Sequence, residues 1–96
     1  MSENSSSVRR EVVVANRLGL HARPAAIIAR AVYGSSSEVW LVRENGEKVL
    51  AASALSILMM AAVSGTRLVI EADGDDAQKI VDELESAFVS RFGEDE

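Results

Sequence analysis

The chain has 96 residues, a formal net charge of −5, 48% hydrophobic and 26% charged residues, which allows one small globular core and is too apolar for a disordered chain. It has no cysteine and a single histidine, so a disulfide framework and a thiolate metal site are excluded, and one histidine cannot build a zinc site without carboxylate help. The acidity argues against nonspecific nucleic-acid binding, and the longest apolar run, roughly Val49 to Val63, falls short of the ~20 residues that span a bilayer, so no membrane insertion is expected.

The charge is unevenly spread. Ten acidic residues lie from Glu71 onward, against Lys79 and Arg91, whereas no acid occurs between Glu11 and Glu38, where Arg17, Arg23 and Arg30 flank the histidine. An anion is welcome in that stretch.

In chain order, residues 1–8 lack the charged-then-apolar order of a secretory signal and read as a flexible lead-in to a domain over residues 9–92, which points to a cytoplasmic protein. Glu11 to Ala15 is β-branched and reads as a strand, and Gly19 breaks the segment after it. Ala22 to Tyr33 is alanine-rich with Ile27, Ile28 and Val32 interspersed, a helix that Gly34 and three serines stop. Glu38 to Arg43 and Glu47 to Ala51 form a hairpin through Glu44-Asn45-Gly46, with Asn-Gly suited to a type I′ turn. Ser53 is placed to cap a short helix over Ala54 to Ala61, which Gly65 closes off. Arg67 to Ala72 gives a fourth strand, and Asp73-Gly74-Asp75-Asp76 turns into a last helix with an acidic first turn. There Ala77, Ile80, Val81, Leu84, Ala87 and Phe88 recur at three- and four-residue steps, a core stripe. Four adjacent turn residues do not reproduce the ligand spacing of a calcium loop. Residues 93–96 form an acidic tail. The order β-α-β-β-α-β-α predicts an α+β open-faced sandwich, with helices on one face of a four-stranded sheet.

The residues that can carry chemistry are Gly19-Leu20-His21-Ala22-Arg23-Pro24-Ala25-Ala26. Proline lacks an N–H and suits a first helical turn, so Pro24 sets the helix start and puts His21 at or near its N-cap. First-turn amides, here Ala22 and Arg23, have no intrahelical acceptor and, with the macrodipole, form an anion site. Arg23 adds a planar, permanently charged donor fork for phosphoryl oxygens. The positive surroundings favour neutral, nucleophilic imidazole. On these physical grounds two readings stay open: a phosphoryl acceptor, or a polar helix cap with Arg23 at the surface.

Gly-Leu-His-Ala-Arg-Pro-Ala at positions 19 to 25 resembles the active-site signature of HPr, the phosphocarrier of the bacterial phosphotransferase system. The resemblance extends over about residues 10 to 92, through Asn45-Gly46, the helix start at Ser53, Gly65 and Asp73-Gly74. It implies a strand order of 1-4-2-3, phosphorylation of His21 on Nδ1 by enzyme I charged from phosphoenolpyruvate, and transfer to an enzyme IIA protein, with Arg23 in support, no cofactor and a monomeric carrier. It also implies a docking surface that includes Leu55, Leu58 and Arg30. Ser53 occupies the place of the family's regulatory serine, the target of an HPr kinase/phosphorylase. However, Ala52, Ala54 and Leu55 stand where regulated members have Lys before the serine and Ile-Met after it, and capping alone explains Ser53. Ser53 to Met60 and the tail Gly93 to Glu96 resemble the nitrogen-type branch. A noncatalytic interaction module with the same fold is the alternative function.

Overall fold

The structure, a computed structural model, describes residues 7–96. Strand β1 spans Ser7–Val13, helix α1 Ala22–Tyr33, β2 Glu38–Arg43, β3 Lys48–Leu50, α2 Ala54–Met60, β4 Arg67–Asp73 and α3 Ala77–Val89, followed by a short 3₁₀ turn over Arg91–Gly93. The strands form one antiparallel sheet in the order β1-β4-β2-β3. This is the α+β open-faced sandwich expected from the sequence, in the strand order the resemblance implies.

The register explains the sidedness. Val12 pairs with Leu68, Leu41 with Ile70 and Val39 with Ala72, and all six are buried on the face the helices cover. Ile28 and Val32 of α1, Ile57 and Met60 of α2, and Ile80, Val81, Leu84 and Phe88 of α3 close that core. Each such side chain contributes about 1.5–3 kcal/mol when fully buried. The opposite face carries Arg9, Glu71, Lys48 and Trp40, with Glu71 pairing with both Arg9 and Lys48 and the Lys48 ammonium lying 4.9 Å from the Trp40 ring centroid.

Several boundaries differ from the sequence reading, each for a local reason. Strand β1 begins at Ser7, so residues 7 and 8 of the expected lead-in belong to the sheet and only residues 1–6 lie outside the described chain. Two adjacent arginines hide this strand from a hydrophobicity reading. Arg10 is tolerated there because Asp82 and Glu85 of α3 neutralise it, at 3.2 and 2.5 Å.

The hairpin stands, but its turn is not type I′. Gly46 N–H bonds Arg43 C=O at 3.0 Å, Arg43 N–H bonds Glu47 C=O at 2.8 Å, and only Gly46 has positive φ, at 93°. This is a three-residue loop with glycine in the left-handed position. Helix α2 ends at Met60 with Ala61 in the left-handed conformation, rather than being closed by Gly65. The first turn of α3 holds no acid: Asp76 precedes it, and its carboxylate accepts from Ser37 Oγ–H and Ser36 N–H instead of capping the helix. These bonds, first that from Ser37, hold the Asp76 carboxyl below its ordinary range.

Candidate functional site

The loop before α1 is fixed from both sides. Gly19 has φ of +73°, and a Cβ there would lie 2.5 Å from the carbonyl oxygen of Ala62, so only glycine lets the loop press on the end of α2. Leu20 is buried and its N–H bonds that same oxygen at 3.0 Å, while His21 N–H bonds Gly19 C=O at 3.0 Å. Pro24 is buried in the first turn of α1 and His21 is the N-cap, with extended φ/ψ of −79° and −167°. The proline argument therefore places the histidine correctly.

The imidazole does not cap its own helix. Ala25 N–H bonds His21 C=O at 3.0 Å, and proline at position 24 has no N–H, so Ala22 and Arg23 present the first-turn amides that lack an intrahelical acceptor. Arg23 is exposed, and its Nη2 lies 3.8 Å from where a Cβ on Gly93 would be. Arg17, Leu18, His21, Arg23, Glu94, Asp95 and Glu96 line one open cleft of about 440 Å³. A larger cleft of about 520 Å³, lined by Arg43, Glu44, Asn45, Gly65, Thr66 and Arg67, does not include the histidine.

The tail enters this cleft, which the sequence reading did not foresee. His21 Nε2–H donates to Glu94 Oε2 at 2.6 Å. The other carboxylate oxygen of Glu94 accepts from Asn16 Nδ2–H at 3.0 Å, and the same amide group donates to Gly19 C=O at 2.7 Å. Asn16 is wholly buried, and facing two acceptors leaves its amide only this orientation; among the described residues its Oδ1 has no partner. Desolvation pushes the Glu94 carboxyl up, but the hydrogen bonds from Asn16 and His21 and the charges of His21 and Arg23 together outweigh it and hold it below the ordinary value. Arg17 pairs with Glu96 at 3.1 Å and its N–H bonds Glu96 C=O at 2.8 Å.

The chain reaches back to His21 through an unusual turn. Arg91, Phe92 and Gly93 all have positive φ, of 56°, 55° and 79°. For the two non-glycine residues this conformation costs roughly 1–2 kcal/mol each. Burial of Phe92, edge-on to Phe88 with ring centroids 4.9 Å apart, offsets it.

On α2, Leu55 and Leu58 are exposed, at 67% and 38%, and Leu18, Met59 and Val63 are exposed too. Gly19 approaches Ala62 and Val63 closely, and the adjoining Leu18 lines the cleft. Arg30 stands near the other end of α1, in a separate cleft with Asp76, Lys79 and Glu83. Ser53 is the α2 N-cap and its Oγ accepts from Ser56 N–H at 3.1 Å, the capping role read from the sequence.

Comparison with known proteins agrees with this geometry. Residues 8–90 match the protein family described as the PTS HPr component phosphorylation site. The chain is 37% identical to phosphocarrier protein HPr of Cupriavidus necator, over 93% of this chain and 99% of that one. It is equally, 37%, identical to phosphocarrier protein NPr of Proteus mirabilis, over 90% and 96%. The crystal structure of HPr-C-His from Thermoanaerobacter tengcongensis superposes with a TM-score of 0.87 at 31% identity, over 93% of this chain and 99% of that chain. The chain belongs to the HPr family of phosphocarriers of the phosphotransferase system.

Proposed function

We propose that His21 accepts a phosphoryl group on Nδ1 from phosphorylated enzyme I and passes it to an enzyme IIA protein. The observation that carries this reading is the N-cap position of His21, beside first-turn amides at Ala22 and Arg23 that have no intrahelical acceptor. A phosphoryl group on the ring meets those N–H groups and the positive end of α1, both set before transfer, and the exposed Arg23 guanidinium closes on its oxygens. Arg23 holds two phosphoryl oxygens with its planar fork, which a lysine does not reproduce.

The exposed apolar residues on α2 support the second half of the reading. A carrier meets two partners in turn, and Leu55 and Leu58 provide a desolvated centre for both encounters, with Arg30 at some distance as a steering charge. Ser53 serves as a helix cap; a phosphate there would set about −1.5 to −2 charges beside the docking patch and hinder an acidic partner.

The test is incubation with enzyme I and phosphoenolpyruvate, followed by a search for an acid-labile, base-stable adduct. Wild type acquires it and His21→Ala does not, while keeping the wild-type circular dichroism and melting temperature. Arg23→Ala slows acceptance and Arg23→Lys restores part of the rate. Acceptance by His21→Ala at the normal rate overturns the site assignment. A wild type inert with several active enzymes I leaves the interaction-module reading.

A further inference from the structure

The Glu94 contact has no counterpart in the roles assigned above, and it is built from three independent features. The carboxylate lies on the Nε2 side of the ring at 2.6 Å and is itself 13% exposed, more enclosed than the imidazole at 36%. Asn16 grips its second oxygen and is pinned to Gly19 C=O, so the Glu94 carboxylate and the loop that positions His21 share one buried amide. Two non-glycine residues adopt left-handed conformations in the turn that brings Glu94 here. Backbone strain of this kind persists where the surrounding structure over-determines it.

We propose that Glu94 is a positioning residue for phosphoryl transfer: it accepts a hydrogen bond from Nε2–H of His21, so leaves the Nδ1 lone pair to face phosphorus, and balances the positive charge the ring gains on phosphorylation. The proposal rests on His21 being the phosphoryl acceptor. In the acceptance step the Nδ1 lone pair forms the N–P bond as the bond from phosphorus to its donor atom in enzyme I breaks, and that electron pair leaves with enzyme I. The ring keeps its Nε2 proton throughout. It becomes an Nδ1-phosphorylated, Nε2-protonated imidazolium whose positive charge faces Glu94. Donation to enzyme IIA reverses these changes. Which ring nitrogen reacts is decided by what the other one bonds, as in hydrolase triads where a carboxylate orients the histidine.

The remaining charged groups at the ring do not duplicate this role. Arg17 is engaged by Glu96, Arg23 lies near Gly93, and Asp95 and Glu96 line the cleft. Among the described residues, Glu94 is the one carboxylate hydrogen-bonded to the imidazole.

The test pairs ring-nitrogen NMR of the unphosphorylated full-length protein with acceptance kinetics. In neutral imidazole, wild type shows the Nε2–H tautomer, and Glu94→Ala shows a larger Nδ1–H fraction. Glu94→Gln retains an acceptor oxygen without the charge and falls between them. From phosphorylated enzyme I, the maximal rate drops about tenfold in Glu94→Ala, the size expected of one charge-assisted hydrogen bond, and less in Glu94→Gln, with KM unchanged. A tail that merely clamps the fold lowers the melting temperature of both variants and moves neither the tautomer nor the rate. That outcome, in a wild type that accepts phosphate, overturns this proposal alone. A wild type that accepts none overturns the acceptor reading, and this proposal with it.

Discussion

Two segments deliver side chains to the same imidazole by opposite means. The Asn16–Pro24 segment is built into the fold: Gly19 and Leu20 are sewn to Ala62, and Pro24 is buried in the first turn of α1. The Arg91–Glu96 segment is a terminal strap, bent back through strained backbone and held by one aromatic side chain, one buried amide and the pairing of Arg17 with Glu96. In the proposed transfer, the first holds the acceptor and cannot move without disturbing the core. The second is the segment proposed to tune that acceptor, since Glu94 reaches the ring only through its turn.

Breaking the strap at its anchor gives the largest expected effect on stability. Phe92→Ala removes a buried ring and leaves the left-handed turn without compensation, at a cost of about 3–5 kcal/mol. Because the Glu94 contact goes with it, the acceptance rate falls to that of Glu94→Ala and no further; chemical denaturation and acceptance kinetics check both halves. A rate as low as that of His21→Ala contradicts the division between fold and strap.

Gly19→Ala attacks the other segment. The new methyl meets the Ala62 oxygen, and alanine resists φ of +73°, so about 2 kcal/mol or more is lost. Here stability and transfer fail together, since the loop that carries His21 must shift off α2. Wild-type acceptance from a destabilised Gly19→Ala protein shows that the loop need not be rigid.

Acid gives the smallest and most selective separation of the two segments. The Glu94 carboxyl titrates below its ordinary 4.5 in the folded protein. Its contribution is therefore fully present above that value and is lost as pH falls through the lowered folded value. On acidification toward that range, NMR signals of the strap shift while those of the sheet hold, and Glu94→Gln lacks this part of the acid dependence. Identical acid profiles for wild type and Glu94→Gln contradict the shift.

The same contrast explains what the sequence made legible. The short-period signals, β-branched strands, the α3 stripe and the Ser53 cap, point to the three α-helices and the β2–β3 hairpin, because local propensity and core burial agree there. The motif around His21 was readable since its residues are consecutive and Pro24 marks the helix start. Strand order came from family resemblance, as pairing between strands distant in sequence leaves no local trace. Glu94 was read only as part of an acidic tail: it lies 73 positions from His21, behind a turn whose left-handed residues are Arg91 and Phe92 rather than glycine alone. Asn16 gave no sign either, since a buried asparagine in a loop looks like any turn residue until its two acceptors are known.

Everything proposed for this site depends on which atom of His21 reacts. Long-range proton–nitrogen spectra of the ring-labelled protein, recorded after phosphorylation by enzyme I and phosphoenolpyruvate, read this directly. They are expected to show the phosphoryl group on Nδ1 and a proton retained on Nε2, hydrogen-bonded to Glu94. A phosphoryl group on Nε2, where Glu94 now sits, contradicts the account, and so does a ring that takes up none.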